Sequence, residues 1–310
     1  MSTLLTAIGV LAALLGGAYL VAVLDRLGGS GPRRIGFAFS LPLGEAVGLL
    51  RQEDLLPRGA DGLLFRSAPL IALAAVALAA LVIPLGPHTV GFDPSIGLFY
   101  FIVVLGPFVV AMMNAGWSQN SKEGLFGTFR AAAHLIAYEV PLGFAAIGPV
   151  MDAQSLSTVR IVEAQSTLWY GVWQPLGLLI YLAAMLMVSY RHPFDIPQGG
   201  SELEGGVLSE YAGPRLLLFR VTLNALFLVM TAMAVVLFFG GWRGPLLPGP
   251  VWFLLKTALL ASLVLWITRF LPRLRQDQML GLAWKVLLPA TFVNIVWVGV
   301  VSLLFAGGRG

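Results

Sequence analysis

Cysteine is absent from the 310 residues. That removes disulfides, thiolate metal sites, cysteine nucleophiles and self-ligated iron–sulfur clusters together. Charge is scarce as well: 11% of the residues are Asp, Glu, Lys or Arg, under half of the roughly 25% typical of a soluble domain. With 58% hydrophobic residues, water cannot be the main solvent, and the same figures exclude disorder, which needs low hydrophobicity and high net charge. Histidine is limited to His88, His134 and His192, too widely spaced for an all-protein zinc site. The net charge of +4 rests on 19 Lys and Arg against 15 Asp and Glu, with no long basic run. Nucleic acid is therefore not an expected partner.

What is present is apolar length. A bilayer core of about 30 Å needs roughly 20 apolar residues per helix. Eight stretches qualify, at about 3–24, 67–86, 97–117, 131–151, 170–190, 217–240, 251–271 and 284–306. The expected fold class is an all-α integral membrane protein of about eight transmembrane helices, a single membrane domain over 1–310. The first stretch has no basic residue before it and Asp25-Arg26 only after it, the reverse of a cleaved signal peptide, so a retained helix is expected. Fifteen of the 19 Lys and Arg fall in or near the odd connections. By the positive-inside rule those connections are cytoplasmic and both termini face outward.

Two connections are long. The first, 25–66, opens on the turn Gly28-Gly29-Ser30-Gly31-Pro32. Leu43, Ala46, Val47 and Leu50 then recur at helical spacing, which predicts an amphipathic helix at the interface. It also carries Glu45, Glu53, Asp54 and Asp61, which a charged surface helix explains without chemistry; the functional alternatives are a docking surface or a substrate entrance. The fifth, 191–216, begins Arg191-His192-Pro193-Phe194-Asp195-Ile196-Pro197, where two prolines deny a regular helix. Glu202, Glu204 and Glu210 follow. A solvated acidic loop is the plain reading; carboxylates close enough to titrate as a set would suit proton relay. Glycine pairs at 199–200 and 205–206 follow no strand, and the turn at 28–31 lacks the Lys-Ser/Thr of a phosphate loop, so neither is a nucleotide site.

Glu139 falls well inside the fourth stretch, where an ionised carboxylate costs several kcal/mol or more. Arg130, His134 and Tyr138 share one face of that helix. An intramembrane acid is a candidate for a proton path or an ion site; the alternative is a structural ion pair or a protonated carboxyl.

Several ordered motifs then carry a resemblance. They include Glu53-Asp54 with Pro57, Ala115-Gly116-Trp117-Ser118, Arg130-Ala131-Ala132-Ala133 and Ala137-Tyr138-Glu139-Val140. Further along stand Arg191-His192-Pro193-Phe194-Asp195, Ser201-Glu202-Leu203, Glu210-Tyr211-Ala212-Gly213 and Phe238-Phe239-Gly240-Gly241-Trp242. Asp277-Gln278 and Trp284-Lys285-Val286-Leu287-Leu288-Pro289 complete the series. From about residue 25 to 300 the chain resembles the H subunit family of bacterial NADH–quinone oxidoreductase, respiratory complex I. The resemblance implies a subunit that joins the peripheral electron-transfer arm to the membrane arm and forms much of the quinone chamber. It implies no complete active site in this chain alone and no cofactor bound by it. Quinone is then the substrate, and an iron–sulfur cluster is expected in a neighbouring subunit. Peripheral quinone-site subunits, small membrane subunits and lipid are the implied partners, in the bacterial cytoplasmic (inner) membrane. By position, Glu139, Glu202 and Glu210 would be proton-path carboxylates. Asp25, Arg26, Glu45, Glu53, Asp54, Asp61, Arg130, Arg191, Asp195 and Glu204 would line the quinone chamber or its entrance.

The chain also departs from the family. Asp25 replaces a usual Glu, Gly48 a lysine, and Gln198, Gly200 and Leu223 stand where carboxylates are usual. A diverged relative with weakened or rerouted coupling is one reading of those losses. The membrane subunit of an energy-converting hydrogenase or ferredoxin-linked complex is an alternative. A free-standing ion or solute transporter is another, although no inverted halves are visible.

Overall fold

In hydrocarbon every backbone polar group must be satisfied within its own segment, which leaves helices as the only open spanning form. The computed structural model describes residues 2–27, 35–86, 91–166, 168–199, 205–245 and 247–306, and among them there is no strand. The turn at 28–31, His88, Gly200, Glu202 and Glu204 lie outside the described residues.

The helices are α1 (Ser2–Leu27), α2 (Ile35–Arg51), α3 (Gly62–Ala80), α4 (Gly97–Trp117) and α5 (Lys122–Ala153), then the short α6 (Thr158–Ala164) and α7 (Tyr170–Trp173). The chain continues as α8 (Pro175–Val188), α9 (Gly213–Phe238), α10 (Gly249–Thr268), α11 (Gln276–Leu282) and α12 (Leu288–Ala306). A π-helical turn, Ala283–Leu287, joins α11 to α12. Among the described residues, six helices are long and apolar enough to cross a membrane: α3, α4, α5, α9, α10 and the continuous Gln276–Leu304. The chain is a membrane protein. The 26-residue α1 corresponds to the first expected stretch.

The fifth stretch departs from the expectation of a single helix over 170–190. The structure divides it at Gln174, whose φ −116° and ψ 51° are not helical. Pro175 is the cause, because a proline disfavours the α conformation of the residue before it. The remaining α8, 14 residues long, is shorter than a full crossing.

α9 is the hub. It packs against α1, α2, α3, α8 and α10, and 83% of its most apolar window is buried, against 22% for Gln276–Leu304. A helix apolar on all sides belongs in such a position. The outer helices present Leu259, Val296, Leu303 and Leu304 to the surroundings, a surface suited to lipid or to other membrane subunits.

The bundle has a basic end, where α3, α5 and α9 begin and α4, α8 and α10 finish. There α4 and α5 approach closely: a Cβ on Gly116 would lie 2.5 Å from the Gly124 carbonyl, and one on Gly127 2.5 Å from the Val207 nitrogen. That contact seats the 3-10 turn Gly206–Leu208, which Gln119 Nε2 clamps by donating to Val207 O at 2.6 Å.

A helix, α2, is present where the amphipathic helix is expected. Leu49 is buried against the bundle, whereas Leu43, Val47 and Leu50 of the expected apolar face are exposed.

Candidate functional site

At the basic end α8 stops in a Schellman turn: Tyr190 N–H donates to Met187 O at 3.2 Å and Arg191 N–H to Leu186 O at 3.1 Å. The left-handed residue of such a turn is normally glycine. Here it is Tyr190, at φ 48°, a costly conformation for a bulky side chain. The turn points Arg191 back into the bundle, where it becomes the centre of a polar network. Its Nη1 lies 3.3 Å from Asp25 Oδ2 at the end of α1, its Nη2 donates to Asn224 Oδ1 on α9, and its guanidinium sits 5.2 Å over the Phe227 ring. Arg269 reaches Asp25 from α10, at 3.8 Å. Burial pushes the Arg191 pKa down, and the Asp25 carboxylate opposes the shift. A guanidinium remains charged throughout the accessible range.

These groups border a cavity of about 420 Å³ between α1, α2 and α9, floored by Ser189, Tyr190 and Arg191. That is a fitting size for a small-molecule site. One wall is apolar, from Leu15, Ala18, Leu49, Leu217, Val221 and Leu223, and the rim carries Asp25, Arg26, Glu45 and Arg220. Arg26 pairs with Glu45 at 2.5 Å, and Arg220 lies 3.9 Å from the same carboxylate. The buried Tyr190 hydroxyl and Arg26 Nη1 have no hydrogen-bond partner. An apolar wall with the charged Asp25, Arg26 and Arg191 at one end suits an amphipathic ligand with a polar head.

Of the residues expected at the chamber, the structure therefore brings together Asp25, Arg26, Glu45 and Arg191. The others stand elsewhere. Asp61 caps α3, accepting from Leu63 N at 3.1 Å and Leu64 N at 3.3 Å. Asp54 pairs with Arg215 at 3.0 Å, and that guanidinium lies 5.3 Å over Phe65. Glu53 is exposed. Tyr211 stacks on Phe65 with ring centroids 4.1 Å apart and donates to Phe65 O at 3.0 Å. Burial pushes its pKa up to about 12. Glu210, beside it, faces outward.

Residues 191–199 are largely buried, unlike a solvated loop. Asp195 pairs with Arg273 at 2.8 Å. His134 Nε2 lies 2.9 Å from Phe194 O, and Arg130 Nη1 donates to Ile196 O at 3.5 Å. Arg130, Arg273 and Arg275 line a second, smaller cavity of about 150 Å³. Each backbone group of a buried loop needs a partner; His134 and Arg130 of α5 meet two of its carbonyls, and the Leu274 N–H of the α10–α11 connection donates to Pro193 O at 3.2 Å.

On α5 the expected inward face is present: His134 and Tyr138 are buried, and the His134 and Tyr190 rings meet edge-on at 5.4 Å. Glu139 is one step further round and is exposed on the flank of this chain. It does not lie against the buried polar residues of its own helix, because the 100° step from Tyr138 turns it to the outside. The Tyr190 and Arg269 contributions are not visible in the sequence, since neither residue stands in a charge pattern or periodic face. No cluster able to hold a metal is present among the described residues.

The family model described as NADH dehydrogenase matches residues 5–299 of this chain. Among known proteins, the second H-type NADH-quinone oxidoreductase subunit of Rhodopseudomonas palustris strain CGA009 is 42% identical over 272 residues, 87% of this chain and 85% of that protein. The second H-type NADH-quinone oxidoreductase subunit of Rhizobium meliloti is 39% identical over 283 residues, covering 87% and 86%. The chain belongs to the NADH dehydrogenase family.

Proposed function

We propose that this chain is the quinone-chamber membrane subunit of a proton-translocating NADH–quinone oxidoreductase. The cavity beside Arg191 carries the reading. Its apolar α1–α9 wall suits an isoprenoid body, and the Arg191 guanidinium suits a carbonyl oxygen of a quinone head. Asp25, Arg26 and Glu45 form the entrance between α1 and α2. The relatives named above are subunits of NADH-quinone oxidoreductases, which favours this reading over a hydrogenase-type or free-standing transporter role.

Electrons come from an iron–sulfur cluster held by a neighbouring peripheral subunit. Two electrons and two protons convert quinone to quinol, and the negative charge arriving at the head is felt first by Arg191 and the Asp25 carboxylate paired with it. The tyrosines Tyr190 and Tyr138 lie between that charge and Glu139. Glu139, Glu202 and Glu210 are the protonatable groups of the path. Because a carboxylate exposed to hydrocarbon costs several kcal/mol, the Glu139 flank of α5 is covered by a neighbouring membrane subunit. The complex sits in the bacterial inner membrane, with both termini of this chain outward, as the basic end facing the cytoplasm requires. Arg130, Asp195 and the 25–66 connection, including Glu53, Asp54 and Asp61, frame the face toward the peripheral arm, and Glu204 belongs to the same acidic connection as Glu202.

The test is Glu139→Gln in the assembled complex. Protons translocated per quinone reduced should fall at least twofold while quinone reduction under uncoupled conditions is retained. An unchanged ratio removes Glu139 from the path.

A further inference from the structure

A second polar region lies at the opposite end of the bundle, in the seam where α5, α8 and α12 meet. Asn294, on α12, is fully buried, and neither its amide oxygen nor its nitrogen has a hydrogen-bond partner. Gln174, in the break before α8, is equally buried and its Oε1 is also without a partner. Two glycines make room for these amides. A Cβ on Gly148 of α5 would stand 2.6 Å from Gln174 Oε1 and 3.1 Å from Asn294 Nδ2, and one on Gly177 of α8 would stand 2.9 Å from Asn294 Nδ2. The two amides therefore occupy the space that the missing side chains of Gly148 and Gly177 leave.

That space leads outward through hydrogen bonds. Gln174 Nε2 donates to Asp152 Oδ2, and Ser302 Oγ donates to Asp152 Oδ1 at 2.5 Å. Asp152 is next to the last residue of α5 and is partly exposed. Asn294 and Ser302 lie eight residues apart on α12, about 12 Å along its axis. Polar side chains thus run from inside the apolar seam to its far mouth. Buried amides left unsatisfied are costly, and water is the smallest species that can donate to Gln174 Oε1 and accept from Asn294 Nδ2 together.

We propose that this seam binds water and serves as the outward segment of a proton route through the chain, with Asp152 as its protonatable mouth. A proton arriving on water forms an O–H bond at the Asp152 carboxylate and leaves to bulk water, so the carboxylate is regenerated each cycle. This rests on the chain working in a proton-translocating complex, but not on Glu139 lying in the path.

The test uses the whole complex reconstituted in proteoliposomes, with Asp152→Asn and Asn294→Leu. Both should lower protons translocated per quinone reduced at least twofold, with uncoupled quinone reduction within twofold of wild type. An unchanged ratio in assembled Asp152→Asn complex overturns the proposal. If Asn294→Leu fails to assemble, a high-resolution density map of the wild-type complex decides. Water between Gln174 and Asn294 supports the proposal, and a dry seam with the two amides bonded directly to each other overturns it. Loss of coupling in Glu139→Gln with full coupling in Asp152→Asn would sink this inference alone.

Discussion

Replacing Arg191 by Met removes the one cation that ties α1, the end of α8 and α9 together at the cavity. At 3.3 Å and an effective dielectric near 20, the bare attraction to Asp25 is about 5 kcal/mol. Asp25 is 49% exposed, and solvent screening reduces the realised contribution to about 1 kcal/mol. The carboxylate is not orphaned either, since Arg269 remains 3.8 Å away. Loss of the charge-assisted bond to Asn224 adds about 1.5 kcal/mol, and loss of the contact over Phe227 about 0.5 kcal/mol. The sum, about 3 kcal/mol before Met refills part of the space, should lower the amount of assembled complex on native gels without abolishing it. A lost charge-assisted bond to a quinone carbonyl, about 1.4 kcal/mol, raises the quinone KM about tenfold. Arg191→Lys keeps the charge but cannot fork to Asp25 and Asn224 at once, so its KM should fall between the two. Quinone reduction is measured per assembled complex. A wild-type KM in Arg191→Met would refute the placement of the quinone head at this network.

Asp61→Ala removes the α3 cap and should cost about 1 kcal/mol of stability, reducing assembly with no change in quinone KM; a raised KM would return Asp61 to the chamber. Lys256 donates to the carbonyls of Phe239, Gly241 and Arg243 at 2.7, 3.1 and 2.6 Å. Lys256→Met strands those acceptors and should cost about 3 kcal/mol, read as faster thermal inactivation than wild type. The Tyr211 pKa is raised from 10.0 to about 12, so its contribution to stability is complete below pH 10 and is lost as pH rises through about 12. In Tyr211→Phe the alkaline loss of stability over that window should be shallower, measured as inactivation rate against pH. An identical slope would contradict the burial of its hydroxyl against Phe65.

Much of the helix plan is readable because hydrocarbon imposes one local rule: a run of about 20 apolar residues must satisfy its own backbone. Each of the eight expected stretches overlaps a helix or, in the fifth, the pair divided at Gln174, and among the described residues six of these helices are long and apolar enough to span. That break is legible in principle from Pro175, but the unbroken apolar run around it carries the stronger signal. The site is less legible. Arg191 stands out as a charge beside a proline-rich turn, yet its partner Asp25 lies 166 residues away and Arg269 reaches Asp25 across 244. No periodicity connects positions so distant in sequence. Proximity along the chain groups Asp54 and Asp61 with Glu45. The structure separates them, because α2 carries Glu45 to the cavity while Asp61 closes the first turn of α3. Glu139 shows the same limit at the smallest scale. Depth in the bilayer follows from counting residues along α5, but which way a side chain faces depends on what packs around the helix. The residues beside it, Tyr138 inward and Val140 outward, put the carboxylate on the boundary of this chain. On the function proposed above, the Glu139 part of the path therefore runs along the surface of this chain and not through its buried core.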